Sequence, residues 1–324
     1  MRYLGLLLVL LLTGCHSQLK EQEGFLLNTY VKLKVETRDP HVLPAAFATI
    51  EDLEAQLAYQ QKDSEIAQIN AAAGKHAVKV SSSTFQLLQQ AKLLAAKTDG
   101  AFDPTIGAVS TLWQIGTKHA RKPAATEIAA ALPLVDHREL DLNEAKQTVY
   151  LKKAGMKLDL SGIAKGYITK KVVTQLKNAG VTSGALDLGG NVYLLGTRPT
   201  GELWQAGIKS PFEGQHLLGQ IAVKNQAVVT SGGYARYVTL KGKKYSHLLD
   251  PHTGQPVEND LASVTIIAAD ATVSDALATA VFVKGSQAGL TYLERYPAVE
   301  GILVTKEQGI YVTKNLQHKF KLAK

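Results

Sequence analysis

The chain has 324 residues, 45% of them hydrophobic, a formal net charge of +8 and a single cysteine. That length supports a large core, in one sizeable domain or two intimately joined lobes. One cysteine excludes disulfide frameworks, iron–sulfur clusters and zinc–thiolate sites, and dispersed positive charge without a basic, aromatic-interleaved run points away from nucleic acid and towards an anionic small molecule.

At the N-terminus, Met1-Arg2 is a short positive start, Leu4 to Leu12 is an apolar run, and Leu12-Thr13-Gly14-Cys15 sets small residues before the cysteine. This is the pattern of a bacterial lipoprotein signal with its lipobox, and the run is too short to cross a bilayer as a permanent helix. Cleavage before Cys15 leaves 324 − 14 = 310 residues, with lipid on Cys15 and no free thiol, and takes the charge from +8 to +7 as Arg2 departs. The expected organisation is a signal peptide over 1–14, a polar lipidated tether over 15–23 and a folded domain over 24–324. Such a protein is anchored by lipid to a bacterial membrane and faces the periplasm or cell exterior. His16 after the cysteine, in place of Asp, leans towards outer-membrane sorting where a cell has one.

Leu26 to Val35 alternates as a first strand. Phe47, Ile50, Leu53 and Leu57 mark one helical face; Phe85, Leu88, Ala91, Leu94 and Ala95 mark another, with Ser81 to Ser83 as N-cap and Gly100 as stop. Pro123 to Leu132 is a third helix, and Ile168, Val172, Val173 and Leu176 trace a fourth. Leu140 to Leu160 reads as a hairpin ending in a strand-like stretch, Met156 to Leu160. Further strands are expected over 203–208, 219–223, 227–230, 237–240 and 261–268. Helices are expected over 275–283 and 287–295, then a closing hairpin of 301–304 with 309–312 and a solvated basic tail over 314–324. Strands and helices mix without βαβ alternation, so the fold class is α+β, with mixed, mainly antiparallel sheets and packed helices.

Three segments set acids or hydroxyls beside glycines: Asp159-Leu160-Ser161-Gly162-Ile163-Ala164-Lys165-Gly166-Tyr167, Ala185-Leu186-Asp187-Leu188-Gly189-Gly190-Asn191, and Ser274-Asp275-Ala276-Leu277-Ala278-Thr279. In the first, N–H groups from Gly162 onward open a helix and favour an anion, with Lys165 adding positive charge. In the third, Asp275 and Thr279 lie four apart on one helical face, as an oxygen-preferring cation requires. Taken singly, Asp275 also fits a first-turn acid complementing a helix dipole, and the glycines fit turn geometry. Neither a Walker motif nor a GxGxxG fingerprint occurs. Together the three read as a divalent-metal and phosphate site.

Downstream, Ser231-Gly232-Gly233-Tyr234-Ala235-Arg236-Tyr237 precedes Ser246-His247-Leu248-Leu249-Asp250-Pro251-His252-Thr253-Gly254. The Asp-Pro-x-Thr-Gly part is a turn by its chemistry, and a lone strand-end His247 fits a structural role as well as a catalytic one.

With Asp63-Ser64-Glu65-Ile66, the following Asn70, and Ala101-Phe102-Asp103-Pro104, these strings stand in one order over nearly the whole mature chain, which resembles the ApbE family of FAD:protein FMN transferases. The resemblance implies FAD as substrate, bound in a cleft between two joined lobes. It implies flavin contacts from Leu27, Tyr59, Ala101, Phe102, Asp103, Asp159, Lys165 and Leu249. It also implies Mg²⁺ on the Gly162 carbonyl and the Asp275 and Thr279 side chains. Leu27-Asn28-Thr29 stands where many members have Met-Gly-Thr, a departure that alters the shape of the flavin pocket.

The reaction so implied moves the FMN half of FAD to a Ser or Thr hydroxyl of an acceptor protein, releasing AMP. His247 is the candidate base and Asp187 the reserve. The family's acceptors carry a Ser-Gly-Ala-Thr-like string in membrane redox complexes on the exported side. Here Ser183-Gly184-Ala185-Leu186 lacks the final hydroxyl, which argues against self-modification. Two alternatives stay open: hydrolysis of FAD to FMN and AMP, and a non-catalytic flavin-binding lipoprotein.

Overall fold

In the computed structural model, which describes residues 19–212, 217–234 and 236–323, strands β1 (Leu19–Leu26) and β2 (Thr29–Glu36) form a hairpin. Its two-residue turn, Leu27-Asn28, has φ of 55° and 53°, the left-handed pair that matches the twist of an antiparallel ribbon. This corrects the tether expected over 15–23: from Leu19 the chain is already a strand, paired with β2 from Leu19↔Glu36 onward. The segment looks like a tether because it is polar, yet the polarity serves the pairing, with Lys32 bridging Glu21 at 3.2 Å and Glu23 at 3.5 Å across the strands. Cys15 and the signal peptide expected over 1–14 lie outside the described residues.

Helix α1 (Val42–Leu57) follows, then a short α2 (Glu65–Ala71) that the periodicity does not reveal. Strand β3 (Val78–Lys79) leads to α3 (Ser82–Lys97), whose N-cap is Ser81, its hydroxyl accepting from Thr84 N. Helices α4 (Gly107–Trp113) and α5 (Ala125–Ala131) precede the hairpin of β4 (Leu140–Asn143) and β5 (Thr148–Leu151), which with β3 makes a small sheet. Met156 to Leu160 is extended but joins no ladder beyond a single bridge from Lys157 to Ile106. Its register is held by Asn70, which donates to Leu158 O at 3.0 Å and accepts from Leu158 N at 2.6 Å, standing in for a neighbouring strand.

Helix α6 (Ala164–Asn178) opens the second half, followed by β6 (Gly184–Leu188), β7 (Asn191–Leu195), β8 (Trp204–Ile208), β9 (Gly219–Val223) and β10 (Gln226–Gly232). A separate hairpin, β11 (Tyr237–Leu240) and β12 (Lys243–Ser246), then projects before β13 (Leu261–Ala268). Helices α7 (Ala271–Lys284) and α8 (Ser286–Leu293), strands β14 (Glu300–Thr305) and β15 (Ile310–Val312), and β16 (Phe320–Leu322) complete the described chain. Helix α7 starts four residues before the expected 275, because the Asp270 carboxylate caps it by accepting from Thr272 N and Val273 N. The tail is not simply solvated either: Leu316 is fully buried and β16 pairs with β9.

The main sheet is antiparallel throughout, in the order β1-β2-β6-β7-β10-β13-β14-β15, and the sheet β16-β9-β8 lies over one of its faces. On β10, Ala227 and Val229 point to the helix side and Val228 to the small sheet; on β14, Leu303 and Ile302 divide the same way. Hence these strands read as continuous apolar runs rather than alternating ones. Strand β2 faces the core only through Val31, Leu33 and Val35, and its lysines line the outer face. Helix α7, apolar on nearly every side, is buried between α6 and the sheet, with Ala276, Ala278 and Ala280 allowing close approach. The α+β expectation therefore stands, in an architecture that aims the turn before α6 and the middle of α7 at one point.

Candidate active site

A cavity of about 400 Å³ opens where the β1–β2 turn, the ends of α1 and α3, the N-terminus of α6, β7, β10, the segment after β12 and the middle of α7 converge. Every residue expected to contact flavin lines it, as do Gly162, Asp275, Thr279 and His247. Strings spread from Leu27 to Thr279 thus meet in one place. Asp187 does not join them. On β6 it is exposed, its carboxylate accepts from Gly190 N at 2.8 Å across the turn to β7, and it is absent from the cavity wall. The reserve base is corrected to a turn-capping residue.

At the heart of the cavity α6 and α7 cross. Asp275, 4% exposed, sits in the second turn of a buried helix, where an unpaired charge is costly. Its Oδ2 accepts from Gly166 N at 2.8 Å and its Oδ1 from Asn191 Nδ2 at 3.4 Å. Burial raises its pKa, while the nearby Lys165 charge and these two hydrogen bonds pull the other way. Thr279 lies one turn further along α7, and Gly162 faces it: a Cβ built on Gly162 would stand 3.2 Å from Thr279 Oγ1 and 3.4 Å from the Phe102 ring. Only a residue without a side chain leaves the Gly162 backbone so close to both.

The opposite wall is held by hydrogen bonds from distant segments. Asp159 follows the stretch fixed by Asn70, accepts from Ser110 Oγ on α4 at 2.7 Å and from Ser161 N at 3.0 Å, and is buried. The Tyr59 hydroxyl is shifted to a higher pKa by burial, with the Asp159 charge adding to the effect, and so stays a proton donor. Asp103 is committed elsewhere: one oxygen accepts from Thr105 N and Oγ1, the other from His137 N and Nδ1. With its carboxylate so occupied, this part of the wall is offered by the turn's backbone and the Phe102 ring. The Asp-Ser-Glu-Ile string proves architectural: Ser64 caps α2 and Glu65 accepts from Ser81 N at 2.8 Å and Oγ at 2.8 Å, tying α2 to the start of α3.

His247 stands half-buried just after β12. Its Nδ1 lies 3.0 Å from Arg236 O, and because a carbonyl can only accept, Nδ1 carries the proton and Nε2 the free lone pair. Burial pulls its pKa down to about 4, with the Arg236 and Lys165 charges adding and the Arg236 carbonyl and Asp159 opposing. At neutral pH it is an uncharged base. The Arg236 guanidinium reaches across the mouth to Asn28 O at 3.1 Å, fastening the β1–β2 turn to the segment that carries His247. Leu249 packs with Val109, Trp113 and Tyr245, and the Asp250-to-Gly254 turn is anchored by Trp113 Nε1 donating to Gly254 O at 3.0 Å.

The residues present fit a hard divalent cation. Asp275 supplies one carboxylate, Thr279 a hydroxyl and Gly162 a nearby backbone carbonyl, and no cluster of three His, Cys, Asp or Glu exists among the described residues. A site with one anionic ligand suits Mg²⁺ shared with substrate phosphates rather than a protein cage. Independent support comes from Asn191, whose buried Oδ1 has no hydrogen-bond partner. Asn191 and Arg236 stand in strings that the sequence singles out but carry no individual role there, and Ser110 stands in none. A hint existed only for Asn191, a polar residue at the head of the apolar run Val192-Tyr193-Leu194-Leu195.

The model of the ApbE family matches residues 27–303. A FAD:protein FMN transferase of Klebsiella pneumoniae (strain 342) is 37% identical over 289 residues, covering 89% of this chain and 90% of that protein. One from Treponema pallidum (strain Nichols) is 36% identical, with 83% and 78% covered. Among solved structures, the ApbE protein of Thermotoga maritima superposes with a TM-score of 0.86 at 31% identity, over 93% of this chain and 99% of its own. The flavin transferase ApbE of Vibrio cholerae gives 0.83 at 25% identity, over 93% and 100%.

Proposed function

This chain belongs to the ApbE family, and from that premise we propose that it is a FAD:protein FMN transferase, moving FMN from FAD to a Ser or Thr hydroxyl of an acceptor protein with release of AMP. The observation that carries this reading is the convergence of Asp275, Thr279, Gly162, Lys165 and His247 on one cavity. Bound Mg²⁺ would supply charge neutralisation on the diphosphate, held by Asp275, Thr279 and the Gly162 carbonyl. Lys165, close enough to Asp275 and His247 to act on both electrostatically, adds positive charge for the phosphoryl oxygens. Tyr59 and Phe102 offer aromatic surface to the dinucleotide.

In the transfer, the acceptor oxygen forms a bond to the FMN phosphorus as the bond from that phosphorus to the AMP oxygen breaks. His247 Nε2 takes the hydroxyl proton, and Arg236 O holds the imidazole in the tautomer that allows it. We also place the protein on a membrane, through lipid on Cys15, facing the exported side, where its acceptors are exported subunits of membrane redox complexes.

The test uses the domain beginning after Cys15, mixed with FAD, Mg²⁺ and an acceptor domain bearing a Ser-Gly-Ala-Thr-like string. Flavin fluorescence on the acceptor that survives denaturing electrophoresis, matched by AMP, is the expected result. AMP with free FMN alone identifies a hydrolase. FAD binding with no AMP under any metal condition overturns the enzyme reading.

A further inference from the structure

Asn191 heads β7 and is 3% exposed, on the wall of the same cavity as Gly162, Asp275 and Thr279. Its amide is used unequally. Nδ2 donates to Asp275 Oδ1 at 3.4 Å, whereas Oδ1 is closed off from solvent and meets no donor. The reverse orientation of the amide would set an oxygen against the Asp275 carboxylate, so this assignment is the one that chemistry permits. A buried carbonyl oxygen left without a partner raises the free energy of the empty protein, and it persists where something else completes it. The wall that Asn191 shares is rich in oxygen donors: Asp275, Thr279 and Gly162 line the same cavity, Gly162 beside the Thr279 hydroxyl. Several oxygens facing one space are satisfied together by a hard cation, for which a carboxamide oxygen is an ordinary ligand.

We infer that Asn191 Oδ1 is a further protein ligand of the divalent cation, while Nδ2 of the same side chain holds the Asp275 carboxylate in place. The inference rests on the reading that this cavity binds such a cation. With Gly166 N on Oδ2 and Asn191 Nδ2 on Oδ1, both oxygens of Asp275 are oriented before any metal arrives. The ligand set then has a single negative charge, drawn from α7, β7 and the turn before α6, so the cation ties the central sheet to both helices.

The experiment compares the metal-stripped protein with Asn191→Leu and Asn191→Asp, reading Mn²⁺ affinity by electron paramagnetic resonance and the Mg²⁺-induced rise in melting temperature. Asn191→Leu is expected to bind Mn²⁺ about 10–100-fold more weakly. Asn191→Asp is expected to be less stable than wild type without metal, where two carboxylates confront each other. With Mg²⁺ it should recover and show a larger metal-induced rise than wild type. Wild-type Mn²⁺ affinity in Asn191→Leu, or a deficit in Asn191→Asp that Mg²⁺ leaves unchanged, would show that Asn191 only packs the strand end. Should Asn191→Leu not fold, the Asn191→Asp comparison decides. Failure of the wild-type protein to bind Mn²⁺ even with FAD present overturns the cation reading and this inference with it, so the two failures are told apart.

Discussion

The backbone N–H of Gly166 donates to Oδ2 of Asp275 at 2.8 Å, which lets the acid of one helix occupy the amino end of another. The contact exists only because position 166 has no side chain. A Cβ there would lie 2.2 Å from Ala271 O and 2.6 Å from Asp275 Cβ. Gly166→Ala should therefore push α6 and α7 apart, lowering stability by about 1–3 kcal/mol in urea denaturation and weakening the response to Mg²⁺. An unchanged midpoint would mean that the helices adjust without loss.

Asp275→Asn separates stability from activity. The variant keeps an oxygen for Gly166 N–H but removes a buried charge, so the metal-free protein should gain about 1 kcal/mol. It should lose Mg²⁺-induced stabilisation and about 10²–10³ in turnover. Melting curves with and without Mg²⁺, beside AMP release, check both halves.

For His247, the folded pKa of about 4 lies below the ordinary 6.5. Between these values the unfolded chain binds more protons than the native one, so this residue makes stability rise with pH across the window and fall as pH drops from 6.5 towards 4. His247→Gln should flatten that part of the stability profile in the metal-free, FAD-free protein, and slow transfer by about 10²–10⁴ at neutral pH. An NMR titration placing the imidazole pKa near 6.5 would contradict the burial described.

Asn70→Ala tests the support beneath Asp159. Both hydrogen bonds to Leu158 vanish, leaving a buried N–H and C=O unpaired, at about 1–3 kcal/mol. The affinity for FAD should fall together with stability, because Asp159 and Ser161 follow directly on the released segment. Flavin fluorescence quenching measures the first and urea denaturation the second. Loss of stability at full affinity would show that the bonds to Ser110, Ser161 and Pro104 position Asp159 without Asn70.

What could be read from the sequence, and what could not, follows the range of the forces involved. Helix α3 was legible because its Ser81 cap and apolar face are local. The start of α7 was missed because its cap, Asp270, lies upstream of the conspicuous Ser274-Asp275 pair. Strands β1 and β16 escaped notice because their composition is polar or basic and their pairing is tertiary: Lys32 with Glu21 in one case, Phe320 opposite Ile221 in the other. The acid, hydroxyl and glycine strings pointed to the cavity directly, since their side-chain chemistry is unusual for a core. The Arg236 bridge to Asn28 and the unpaired Oδ1 of Asn191 exist only once distant strands meet, so no spacing announces them.

The early start of β1 would limit how far a lipid-anchored form of the enzyme could stand from a bilayer. If Cys15 carries lipid, four backbone steps reach Leu19, about 14 Å at full extension. The strand then runs about 25 Å to the turn at the cavity mouth. On the proposed transfer reaction, an acceptor hydroxyl more than about 40 Å above the membrane surface would then be out of range, so such an anchor would act as a ruler, restricting modification to domains lying low on the same membrane.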